Sequence, residues 1–74
     1  MQGRILGFES SKGVIRAENG TRYEFHINEL KNAKDVPLQA LSQALVDFEL
    51  SDGKAVGIFV LDFAQNAANS HFNS

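Results

Sequence analysis

Asn19-Gly20, followed directly by Thr21-Arg22-Tyr23-Glu24-Phe25-His26, constrains this chain more than any other stretch of it. Both turn residues tolerate a positive φ, so the pair predicts a type I′ turn and an antiparallel hairpin. The residues after the turn alternate strictly, which places Tyr23 and Phe25 on a buried face and Arg22, Glu24 and His26 on an outer one. The partner strand is then Val14 to Glu18. Once that hairpin is granted, the rest of the sequence reads as sheet punctuated by turns.

Gly3 to Glu9 reads as the first strand, with Ile5 and Phe8 in the core and Gly7 marking a bulge or a close approach between them. Ser10-Ser11-Lys12-Gly13 reads as a turn. Residues 27–43 break the strand pattern, and Pro37-Leu38-x-x-Leu41-x-x-Ala44-Leu45 has helical spacing, with proline suited to a helix start and Asp35 to a cap. A short, irregular helix is expected there. Val46 to Leu50 alternates as a fourth strand, Ser51-Asp52-Gly53 turns, and Lys54 to Leu61 forms a fifth. Three meandering strands, a helical turn and a final hairpin give an all-β fold, a five-stranded antiparallel OB-type barrel with a short helical turn between strands 3 and 4. An SH3-like barrel is the rival. Residues 1–62 are read as one domain, and 63–74, which lack periodicity, as a flexible tail or linker.

A chain of 74 residues holds one small core and buries roughly 60% of its unfolded surface. It has no cysteine, so neither a disulfide nor a thiolate zinc site can staple it, which fits a reducing, cytoplasmic setting. Its apolar runs are far shorter than the ~20 residues that span a bilayer. Net charge is −2, unevenly spread: residues 1–34 carry six of the seven Lys/Arg against four acids, and residues 35–74 carry Lys54 against five. A mildly basic face built from the first half could steer an anionic partner.

Catalytic signals are lacking. The two histidines, His26 and His71, sit far apart in the chain, and no nucleophile elbow, phosphate loop or dinucleotide fingerprint occurs. Asp47 and Glu49 suit solvation better than acid–base work. The reading is of a non-enzyme with no cofactor and no metal.

The run G-R-I-L-G-F-E-S-S-K-G-V-I, then Tyr23-Glu24-Phe25-His26, then V-D-F-E-L-S-D-G-K-A resembles the cold-shock domain family. In that family G-K-V-K-W-F-N leads to K-G-F-G-F-I, to V-F-V-H-F and finally to V-x-F-E-I. The resemblance covers residues 1–61 and implies a five-stranded OB barrel, bacterial and cytoplasmic, that binds single-stranded RNA or DNA. Such domains stack unpaired bases on exposed aromatics of strands one to three, at about 1–3 kcal/mol per base.

Most of those rings are absent here. Gly7 stands at the tryptophan position, and the following turn is two residues shorter. With Gly13 at the motif's second glycine, the stacking phenylalanines fall on Lys12 and Val14; with Gly13 at the first, part of the second strand is missing. Glu24 replaces the phenylalanine of the third strand, Ile27 replaces the last aromatic, and His26 is kept. The resemblance therefore implies a nucleic-acid-binding face made of Arg4, Lys12, Val14, Arg16, Arg22 and His26, with Leu6 and Glu24 beside them. The basic residues there would contact phosphate, or else form cross-strand pairs, Arg16 or Arg22 with Glu24. His26 would stack on or hydrogen-bond a nucleotide, or else cap the turn that follows it.

Two functions are expected from this. One is weak binding of single-stranded RNA or DNA through the outer face of strands 1–3. The alternative is an accessory protein-interaction domain without nucleic-acid binding, the N-terminal module of a larger bacterial protein with a further domain or a protein partner. A contiguous exposed patch of Leu6, Val14 and Ile27 would favour the second.

Overall fold

The computed structural model describes residues 1–33 and 35–63, and in it five strands form: β1 (Gln2–Glu9), β2 (Lys12–Ala17), β3 (Arg22–His26), β4 (Leu45–Ser51) and β5 (Lys54–Asp62). Two 3-10 turns, Ile27–Glu29 and Leu38–Leu41, lie between β3 and β4. Apart from Phe63, the expected tail lies outside the described residues, as does Lys34.

The strands make one antiparallel sheet in the order β3-β2-β1-β4-β5. The all-β, five-stranded antiparallel expectation is met, but no ladder joins β3 to β5 and the sheet is not closed into a barrel. Just beyond β3 a single parallel bridge pairs Leu30 with Ile58, and the Lys31 N–H donates to the Ile58 carbonyl at 2.8 Å. The neighbouring Asn32 side chain pairs with the free edge of β5 as a strand would: its amide nitrogen donates to the Val60 carbonyl at 3.0 Å, and its oxygen accepts from the Val60 N–H at 2.8 Å. An edge strand left bare would offer those groups to other chains.

The hairpin turns differ from expectation. Asn19 is not left-handed; the Gly20 N–H donates to the Ala17 carbonyl at 2.8 Å, Gly20 takes φ 88°, and the loop is the three residues Glu18-Asn19-Gly20. The reason is register. A two-residue Asn19-Gly20 turn would set Ile15 opposite Glu24 and force one onto the wrong face, whereas the longer loop sets Ile15 opposite Tyr23 and Gly13 opposite Phe25, both pairs inward. A two-residue turn with positive φ at both positions does occur, at Asp52 (52°) and Gly53 (79°). The turn between β1 and β2 is only Ser10-Ser11; Lys12 and Gly13 belong to β2, paired with Glu9 and Phe8.

The core explains the bulges. Ile5 and Phe8 both face inward but lie three residues apart, so the β1–β2 register shifts at Leu6, and Leu6 and Gly7 share the outer side. Ala55 and Ile58 pose the same problem on β5 and meet the same answer, with Gly57 at φ 57° in the bulge and its N–H donating to Glu29 Oε1 at 3.0 Å. Ile5, Ile15, Phe25, Val46, Phe48 and Ile58 fill the space beneath the sheet, and Leu41 of the second 3-10 turn is buried with them. Phe8 meets Phe25 edge-on at 5.7 Å between ring centres, and Tyr23 tilts against Phe48 at 6.2 Å.

The helix expected from Pro37 to Leu45 is one 3-10 turn, and Asp35 does not cap it; Pro37 occupies that position without a side-chain bond. Gln43 turns left-handed (φ 68°) because residues 43 and 44 are drawn onto β1, through Gln43 N–H to the Ile5 carbonyl (2.6 Å) and Ile5 N–H to the Ala44 carbonyl (3.0 Å). Leu38, Leu41 and Ala44 still pack against the core, since a three-residue period suits a 3-10 turn. Among the described residues no helix is long and apolar enough to cross a membrane.

Candidate nucleic-acid interface

With Tyr23 and Phe25 turned inward, the opposite side of β1–β3 presents the side chains of Arg4, Leu6, Glu9, Lys12, Val14, Arg16, Arg22, Glu24 and His26. The charged residues and His26 are exposed; Leu6 and Val14 are half-buried. Register sorts these side chains into rows across the sheet. In the first row Arg4 lies directly opposite Arg16, and Arg16 directly opposite Arg22. In the second, Gly7 faces Val14 and Val14 faces Glu24; in the third, Glu9 faces Lys12 and Lys12 faces His26.

The arginine row is the unusual one. Like charges directly opposite each other destabilise a sheet. The Ala17 N–H donates to the Thr21 carbonyl (2.8 Å), so the pair one step inward, Arg16 and Arg22, is of the non-hydrogen-bonded kind that brings Cα atoms to about 4.5 Å and side chains closest. The cross-strand pairing of Arg16 or Arg22 with Glu24 does not form. Ion pairs among the described residues join the Met1 amino group to Asp47 at 3.3 Å and Lys31 to Glu29 at 3.8 Å, and neither includes an arginine. Among the described residues only Arg4 of the three is anchored by a side-chain hydrogen bond: its Nη1 donates to the carbonyl of Gln43, a residue with φ 68°, at 2.9 Å. Further along the same register stand Leu45 and then Asp62, an acid two strands beyond Arg4.

Of the other predicted site residues, Lys12 and Val14 share a shallow concavity with Arg22, while neither Arg4 nor Arg16 lines it. Lys12 lies four residues from Arg16 along β2, about 13 Å at strand rise, with Glu9 opposite it. Val14 sits between, in a shallow concavity whose lining includes Leu6, Gly7, Glu9, Lys12, Arg22 and Glu24. Nothing would lie within 4 Å of a Cβ on Gly7, so the hollow is the space a larger outward side chain would fill. His26 ends β3, and its Nδ1 accepts from the Asn28 N–H at 3.1 Å, capping the first 3-10 turn.

Leu6, Val14 and Ile27 do not form one patch: Ile27 packs against the core, beside Leu38 and Val36 on another side. Exposed apolar surface lies instead on β5 and just past it, at Phe59 (47%), Leu61 (50%) and Phe63 (46%). The alternation Phe59-x-Leu61-x-Phe63 was present in the sequence as the sign of it. Among the described residues no cluster of His, Asp and Glu could hold a metal ion. Comparison with protein-family models, with curated proteins and with solved structures finds no match for this chain.

Proposed function

We propose that the chain is a cold-shock-like domain that binds single-stranded RNA or DNA weakly, through the outer face of β1–β3 and by charge rather than by stacking. The observation that carries this reading is the row Arg4, Arg16, Arg22, three opposed guanidinium groups with no carboxylate partner among the described residues. A sheet that keeps such a row gains from an anion laid across it, and a phosphate chain supplies one at every nucleotide. The OB-type barrel belongs to the same proposal. Its support is the bridge from Leu30 to Ile58, on the side where closure would bring β3 against β5.

The test is a fluorescence titration of labelled oligo(dT) and oligo(U) at low and moderate salt. Dissociation constants of micromolar or weaker, rising with salt, are the expected outcome; nanomolar binding that ignores salt contradicts it.

A second reading, an accessory domain that docks a protein, is favoured by a different observation, the exposed Phe59, Leu61 and Phe63. Absence of oligonucleotide binding at low salt leaves this reading in place of the first.

A further inference from the structure

We infer that the outer face follows the phosphodiester chain along the arginine row alone and is indifferent to the bases. This rests on the nucleic-acid reading above and narrows it. Three observations lead there. The outward positions of β1–β3 hold a single ring, His26, whose Nδ1 is already committed to the Asn28 N–H at 3.1 Å. The cations are not equivalent: Lys12 has Glu9 directly opposite it, whereas Glu24 and Glu18 flank the arginine row on its two sides and neither stands directly opposite an arginine. The arginines face no acid across the strands, and Arg4 is held in place by the Gln43 carbonyl.

The row crosses two inter-strand spacings, about 10 Å, which seats a short run of phosphates and no more. Three neutralised phosphates on a single strand give a slope of log K against log salt of about −2, so affinity should drop roughly 20-fold between 50 and 200 mM salt. Sequence should leave it nearly unchanged, because every base shares the same backbone.

The experiment titrates the full chain with labelled oligo(dT) and with an abasic deoxyribose-phosphate oligomer of equal length, and repeats both with R16Q, R22Q and K12Q. Thermal melts check that each variant folds. Expected are affinities for the two oligomers within about 2-fold, a loss of about 8-fold at 50 mM salt for R16Q or R22Q with a slope shallower by about 0.7, and less than 2-fold for K12Q. If oligo(dT) binds but the abasic oligomer is more than 10-fold weaker, bases are being read: the inference fails and the nucleic-acid reading survives. A K12Q loss as large as that of R16Q displaces the track from the arginine row and also overturns it. If neither oligomer binds at low salt, both fall together.

Discussion

Arg16 has an arginine on either side, Arg4 across to β1 and Arg22 across to β3, and so stands at the worst electrostatic position of the outer face. Opposed like charges cost a few tenths to about 1 kcal/mol per pair relative to neutral partners. Glutamine keeps most of the aliphatic stem while removing the charge. R16Q relieves two such pairs and should therefore melt higher than the parent, by about 2–10 °C at low salt for a domain of this size, while binding oligonucleotide less well. A thermal melt followed by circular dichroism at 20 mM salt checks it, and an unchanged or lower midpoint would mean that the repulsion is already relieved in the free protein. Gly13 is the opposite case, a residue fixed by packing alone. A Cβ there would stand 2.7 Å from Phe25 Cε1 and 3.0 Å from Phe8 Cδ1, so glycine is what lets the two rings meet edge-on.

The elements show where the sequence was legible and where it was not. Period two in Arg22–His26 and in Val46–Leu50 gave the inward side chains Tyr23, Phe25, Val46 and Phe48, because a sheet with one buried face penalises every residue of a slipped strand at once, though Leu50 at the strand's end is left exposed. Ile5 and Phe8, three apart, demanded the bulge that Gly7 hinted at. The Asn19-Gly20 loop was misjudged because its local preference for a two-residue turn conflicted with the facing of Ile15 and Glu24, and packing decided. That same extra loop residue pairs Arg16 with Arg22, so the most informative feature of the candidate site was hidden behind one unit of register. The segment after β3 was less legible still. Nothing in Glu29-Leu30-Lys31-Asn32 declares that it will cover a sheet edge, since a carboxylate that accepts from a distant strand and an amide that pairs with it leave no periodic trace. N32A should cost about 1–2 kcal/mol, the worth of two net hydrogen bonds, measured as a shift in the urea midpoint. Amide exchange accelerated more at Val60 than at Ile15, whose exchange follows global unfolding, would place the loss at that edge.

For the molecule as a whole, the two surfaces that stand out do not coincide. The cationic row runs across β1–β3, and the exposed Phe59, Leu61 and Phe63 belong to the far side of the sheet order, with Asp62 among them. A net charge of −2 argues against strong nonspecific binding of a polyanion, but the excess of cations in residues 1–34 comes together in the opposed arginines, a local charge that the sum conceals. The three crowded guanidinium groups also couple this domain to its electrolyte in two opposed senses. Mobile anions shorten the reach of the repulsion, from about 30 Å at 0.01 M to about 10 Å at 0.1 M, and so favour the folded sheet, while the same anions compete with any phosphate chain for the row. Raising sodium chloride from 10 to 200 mM should accordingly lift the unfolding temperature and lower oligonucleotide affinity in parallel samples. The state that holds its ligand best is then the one in which the empty domain is least secure.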